Sequence, residues 1–169
     1  MEETKKLALI ETIKEYAFII IATILFTYIL LFFVQISKVY GTSMLPTYEQ
    51  GDVLLLDCFF YKQGEPEAND IVVIDYYDAN NEETYIIKRV VAVGGDQLEI
   101  IDNQLYVNGE LVIEDYIYEE MDTEDISVYV PEGKIFVMGD NRNVSLDSRM
   151  IGYVDFEDDV VGTVLFQIF

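Results

Sequence analysis

The distribution of apolar and polar residues divides the chain sharply in two. From Tyr16 to Ser37 it reads YAFIIIATILFTYILLFFVQIS, without a single charge. About 20 apolar residues span a bilayer core of roughly 30 Å as a helix. A buried core helix would carry a polar stripe, and none is visible here. A cleaved leader would have a shorter apolar core followed by a small-x-small site, whereas Val34-Gln35-Ile36-Ser37-Lys38 follows. Residues 16–37 are therefore read as an uncleaved transmembrane anchor. Lys5, Lys6 and Lys14 precede the span and only Lys38 closely follows it. A Lys/Arg excess marks the cytoplasmic side, so residues 1–15 are expected inside and residues 38–169 outside.

After the anchor the period changes. Val53 to Leu56 is a short apolar run opened by Gly51-Asp52. Ile71 to Tyr77 is rich in β-branched and aromatic residues, as strands are, and Thr84 to Val93 is the longest strand candidate, stopped by Gly94-Gly95. Residues 78–83 read as a turn. Leu105 to Val107 and Glu110 to Ile113 flank Asn108-Gly109, a pair suited to a type I′ hairpin turn. Asp115 to Asp125 is acidic and irregular. Ile135 to Met138 and Val160 to Phe169 are further strands, separated by a polar loop from Gly139 to Ser148. Short strands, frequent turns and no amphipathic helix predict a mainly β domain over residues 38–169. Residues 95–131 read as a small β insertion peripheral to any site.

Composition narrows the function classes. Hydrophobic residues make up 51% of the 169 positions, which fits a domain with its own core plus an anchor. From Lys38 onward there are 28 acids against 7 bases, so binding to a phosphate backbone is excluded as a main role. This acidity reads as a solvated surface. Histidine is absent and Cys58 is the single cysteine. No disulfide and no zinc site are expected, and Cys58, in an apolar context, reads as a small core residue. No cofactor or metal is called for.

The missing histidine also limits nucleophilic catalysis. A serine nucleophile needs a base, and here that base must be a carboxylate or a lysine of lowered pKa. Ser43 lies just past the anchor in Gly41-Thr42-Ser43-Met44-Leu45-Pro46-Thr47. Lys88 lies inside the strand Tyr85 to Val93, where alternation puts it on one face with Ile86, Val90 and Ala92. Burial there disfavours the ammonium form and yields an amine able to take a serine proton. Taken alone, a lysine that snorkels to a surface acid fits this strand better, and the Ser43 segment fits a plain turn. A third string, Gly139-Asp140-Asn141-Arg142-Asn143-Val144-Ser145-Leu146-Asp147-Ser148-Arg149, gathers two of the chain's three arginines, and Asp147 can pair with Arg149 to fix the loop.

In that order, and behind an anchor, the three strings closely resemble those of the type I signal peptidases, membrane-bound serine proteases that remove signal peptides. The resemblance covers nearly the whole chain, and the single anchor and short length look like the compact Gram-positive form. It implies Ser43 as nucleophile, Lys88 as general base, Ser145 as the group that orients Lys88, and Asp147 with Arg149 as a supporting pair. It implies the Ser43 N–H as an oxyanion donor, cleavage of secretory preproteins after Ala-x-Ala-type sequences, and a cell-membrane location with the catalytic domain extracytoplasmic. Two positions depart from the family pattern. Gly41 stands where some members carry a hydroxyl residue as second oxyanion donor, and Asn143-Val144 stands where the loop often reads Asp-Asn. Two other classes compete. A soluble self-cleaving Ser/Lys peptidase is opposed by the anchor. A non-catalytic membrane-anchored paralogue assisting assembly of secreted or pilus proteins is opposed by the presence of both Ser43 and Lys88.

Overall fold

The computed structural model describes residues 2–78 and 80–169, and the side chains of residues 2–5, 7, 8, 29, 30 and 32 are outside the described set. The Lys5 side chain, part of the orientation argument, and Ala79, in the 78–83 turn, lie outside the described residues. The first element, α1, runs Glu2–Phe33 without glycine or proline. Phe18, Ile19, Ile20 and Ile21 point successively around its circumference, and all four are 56–72% exposed. No face of this stretch is covered by the rest of the chain. Among the described residues no helix is long and apolar enough to cross a membrane. The uncharged run of the sequence includes residues 29, 30 and 32, whose side chains are not described.

The helix stops four residues short of the expected anchor end. Val34–Lys38 is strand β1, hydrogen-bonded antiparallel to β2, Val53–Asp57. This corrects the anchor boundary at residue 37. The apolar run continues through Val34 and Ile36, but a free strand edge on β2 captures their backbone.

The remaining elements are β3 (Ile71–Tyr77), β4 (Glu83–Val93), β5 (Gln97–Ile101), β6 (Gln104–Val107), β7 (Glu110–Leu111), β8 (Ile126–Tyr129), β9 (Lys134–Met138), the single-turn α2 (Ser148–Ile151), β10 (Val154–Asp155) and β11 (Val160–Gln167). They form a mainly β fold of two antiparallel sheets. The larger has the order β1-β2-β11-β3-β4-β9-β10 and the smaller β7-β6-β5-β8. The smaller sheet is reached from the end of β4 and returns through β8 to β9. The turn between β6 and β7 has Asn108 at φ 54° and Gly109 at φ 79°, the left-handed pair that a type I′ turn requires.

Three apolar clusters hold the sheets. One joins Val72, Ile74, Val90, Ile135, Val137, Val154 and Val160, a second joins Val39, Leu54, Leu56 and Val73, and a third ties the smaller sheet to β4 and β9 through Val91, Ala92, Leu98, Ile100 and Phe136. Strict alternation along β4 fails near its end. The register against β9 shifts between Val90 and Ala92, so Val91 and Ala92 enter the same cluster. Ala92 is thereby removed from the face expected to carry Ile86 and Val90.

Candidate active site

The turn bearing Ser43 is fixed from several sides. Met44 is 1% exposed, a core plug rather than a surface residue. Tyr48 N–H donates to the Met44 carbonyl at 2.9 Å, and Gly51 and Asp52 close the loop against Val39. Gly41 has φ +89° with open space around it, a backbone geometry that L side chains rarely adopt. A hydroxyl residue there would strain the turn, which accounts for glycine at this departure from the family pattern. The Ser43 N–H donates to no group among the described residues.

Lys88 comes from β4, in register with Val72 of β3, and is 3% exposed. Its Nζ lies 2.9 Å from Ser43 Oγ and donates to the Ile87 carbonyl at 2.6 Å. Burial pulls its pKa down from 10.5 to about 8, against the opposing fields of Asp147 and Asp140. Each of those carboxylates is paired with an arginine. Asp140 forms a two-point pair with Arg89, at 2.8 and 2.7 Å, and Asp147 one with Arg149, at 2.9 and 2.8 Å. Both carboxylates are fully buried. The isolated-strand reading, in which Lys88 reaches a surface acid, is thus overturned by the tertiary packing.

The Gly139–Arg149 loop grips the nucleophile turn. Asn141 N–H donates to the Ser43 carbonyl at 2.9 Å and Asn141 Nδ2 donates to the Thr42 carbonyl at 3.1 Å. Thr47 Oγ1 donates to Asp140, tying the far end of the turn to the same loop. Asp147 accepts the Gly139 N–H at 3.0 Å and caps α2 through Arg149 N–H. Ser145 is buried beside Gly139, but its Oγ makes no hydrogen bond. The expected bond from Ser145 to Lys88 is absent among the described residues; the Nζ contacts are Ser43 Oγ and the Ile87 carbonyl. Asn141, Arg89, Asp140 and Thr47 were not singled out as site residues by the sequence reading. The signal available for Arg89 was scarcity, since all three arginines of this acidic chain converge here.

A groove of about 590 Å³ leads to the Ser43–Lys88 pair. Ile36, Ser37 and Lys38 of β1 line one wall and Glu83 to Ile87 of β4 the other, with Leu54 and Val73 among the remaining lining residues. Two roughly extended walls with apolar residues between them can take an extended peptide. Among the described residues no cluster of His, Cys, Asp or Glu could hold a metal ion.

Comparisons with known proteins point the same way. Residues 9–169 match the family described as signal peptidase, peptidase S26. The chain is similar to a signal peptidase I of Bacillus licheniformis, at 39% identity over 98% of this chain and 91% of that protein. It is also similar to signal peptidase I U of Bacillus subtilis, at 36% identity over 94% and 88%. The crystal structure of a signal peptidase I from Enterococcus faecalis superposes with a TM-score of 0.50 at 30% identity, covering 59% of this chain and 97% of that one.

Proposed function

Because the chain belongs to the signal peptidase family, peptidase S26, we propose that it is a membrane-anchored signal peptidase working through a Ser43–Lys88 dyad. As a member of that family it is a serine endopeptidase that cleaves signal peptides. The observation that carries the dyad is the 2.9 Å approach of Lys88 Nζ to Ser43 Oγ in a buried setting.

In this reading the neutral amine of Lys88 takes the Ser43 proton as Oγ attacks the scissile carbonyl. The Ile87 carbonyl accepts one of the amine's hydrogens and aims its lone pair at Oγ. The Ser43 N–H receives the developing oxyanion. Lys88 then returns the proton to the leaving amine, an acyl-enzyme forms on Ser43, and water activated by the same amine hydrolyses it. Ser145 supports the site by packing, and the Asp147–Arg149 pair holds the loop that grips Ser43. The groove between β1 and β4 receives the preprotein in extended form, and small residues of the Ala-x-Ala type fit beside its apolar lining. No cofactor or metal takes part, and nucleic acid is not a partner.

The anchor reading completes the proposal. The uncharged stretch of α1 crosses the cell membrane once, with residues 1–15 cytoplasmic and the β domain outside. Its support is the uncovered apolar circumference at residues 18–21, which water would oppose and lipid would satisfy.

The deciding experiment incubates the detergent-solubilised full chain with a preprotein whose signal peptide ends in Ala-x-Ala and maps the new N-terminus. A single cut directly after the second alanine is expected. Absence of any cut, or a cut that persists in Ser43→Ala, would overturn the assignment.

A further inference from the structure

The segment after β7 does not stay with the small sheet. Residues 112–125 form no regular element and cross over the Gly139–Arg149 loop. Tyr118 N–H donates to the Asp140 carbonyl at 3.0 Å. Asn143 Nδ2 donates to Glu119 Oε1 and to the Glu120 carbonyl, both at 3.0 Å, while Asp122 N–H donates to Asn143 Oδ1 at 2.8 Å. The expectation that residues 95–131 lie peripheral to the site is corrected by these contacts.

Two side chains of this strap reach deepest. Glu114 accepts both terminal nitrogens of Arg142, at 2.9 and 2.5 Å, and both side chains are nearly or wholly buried. The third guanidinium nitrogen of Arg142, Nε, donates to the Gly139 carbonyl at 3.0 Å. Tyr116 donates its hydroxyl to Glu114 at 2.9 Å, and its ring lies 4.1 Å from the Arg89 guanidinium and 5.9 Å from that of Arg142. Burial, then the Glu114 charge, pushes the Tyr116 hydroxyl far above its ordinary pKa, so it remains a donor. One tyrosine thus sits between the two arginines that hold Gly139 and Asp140, the residues immediately before Asn141. Asn141 in turn holds the Thr42 and Ser43 carbonyls.

We propose that Glu114 and Tyr116 are positioning residues for cleavage, acting through Arg142 and Arg89 to set the grip of Asn141 on the Ser43 turn. The proposal rests on the peptidase reading above. Planar guanidinium groups, pinned by a bidentate carboxylate and an aromatic face, have few alternative orientations. Without the strap, Arg89 keeps Asp140 and Arg142 keeps only the Gly139 carbonyl, and both lose the element that fixes them relative to each other. A displacement of Ser43 well below the size of an atom is enough to slow attack without abolishing substrate binding. The strap meets β4 at Arg89 and beyond, past the residues 83–88 that line the substrate groove.

The test compares Tyr116→Leu with Tyr116→Phe, which keeps the ring against Arg89. Gly109→Ala, in the distant β6–β7 turn at φ +79°, serves as a control that loses stability only. Each full-length variant is assayed in detergent at a temperature where circular dichroism shows it folded. For Tyr116→Leu we expect kcat to fall between about tenfold and a hundredfold with KM within about twofold. The phenylalanine should recover most of the loss, and Gly109→Ala should keep wild-type kcat at a comparable drop in Tm. A folded Tyr116→Leu enzyme with kcat within about twofold of wild type would overturn the proposal, as would an equal loss in Gly109→Ala. Should Tyr116→Leu not fold, Tyr116→Met, which keeps bulk and every ion pair but removes the aromatic face against Arg89, is read by the same criteria. A wild-type chain that cuts nothing removes the peptidase reading and the strap's role together, whereas a cutting wild type with an indifferent Tyr116 removes the strap alone.

Discussion

Gly139 packs against Ser145 so closely that a single methyl group on Gly139 would overlap the Ser145 side chain and come 2.6 Å from the Ser43 carbonyl oxygen. The nucleophile turn and the arginine-rich loop therefore meet across a position where only a hydrogen fits. Gly139→Ala should push them apart, costing about 1–3 kcal/mol of stability as overpacked cores do. Cleavage should drop by at least about a hundredfold, as a misplacement near 1 Å can cause. Urea melts and preprotein cleavage on the same sample check both figures, and an alanine enzyme with normal turnover would show that the two segments can separate freely.

Lys88→Arg retains a positive charge but supplies no neutral amine, since a guanidinium stays protonated. Its activity should be as low as that of Ser43→Ala, and the double variant should be scarcely worse than either, because groups acting as one unit are not additive. Near-normal cleavage by the arginine enzyme would eliminate Lys88 as the base.

The pH dependence follows from the same buried amine. The neutral form is the active one, so the rate of acylation should rise with pH and reach half its plateau near pH 8, where Lys88 titrates in the fold. The sign for stability is the same. The folded pKa lies below the value of 10.5 that the unfolded chain retains. Between about pH 8 and 10.5 the unfolded state binds more protons, and the Lys88 contribution makes the protein more stable as pH rises. Comparing urea midpoints of wild type and Lys88→Met across that window isolates the contribution; an identical pH slope in both proteins would contradict it.

Asp147 accepts four hydrogen bonds, from Gly139 N–H and from the backbone, Nε and Nη2 of Arg149, and is itself fully buried. Asp147→Asn leaves the buried Arg149 charge without its partner, at a cost of about 3–5 kcal/mol. Arg149→Lys should also be destabilising because a single ammonium cannot reproduce the two-point contact. Chemical denaturation of both variants measures this, and a change below about 1 kcal/mol would place the pair among ornamental surface bridges.

The proposed topology is open to proteolysis of intact cells. Protease applied outside spheroplasts should digest residues beyond the anchor while sparing the N-terminal tail. Protection of the β domain until lysis would reverse the orientation.

Local chemistry explains which parts of this architecture can be read from the chain. β3 matches its sequence reading from Ile71 to Tyr77, and the Asn108-Gly109 turn forms as its residue types demand. β1 was hidden because Val34 and Ile36 simply prolong an apolar run, and only the pairing with β2 reveals their strand geometry. β5 and β8 carry mixed sequences whose strand state depends on each other. At the site, Ser43, Lys88, Asp147 and Arg149 sit in distinctive strings. The partner of Arg142 does not. Between Val90 and Gly133 there are twelve acids and no base, and nothing local separates Glu114, 28 residues from Arg142, from the rest. The Arg89–Asp140 pair spans 51 residues and is equally invisible to any window.

The passage from α1 to β1 contains no linker. Phe33 ends the helix, Val34 begins the strand, and the Phe33 ring packs on Phe59 and Phe60, with centroids at 4.9 and 5.2 Å. β1 then forms a wall of the groove that ends at Ser43. With α1 in a bilayer as proposed, Ser43 follows the end of the helix by ten residues, five of them in a paired strand, so its height above the lipid is set by folded backbone. A flexible tether would leave that height to diffusion. On the proposed topology the molecule would act as a ruler, choosing where an emerging chain is cut by its distance from the membrane as well as by its side chains.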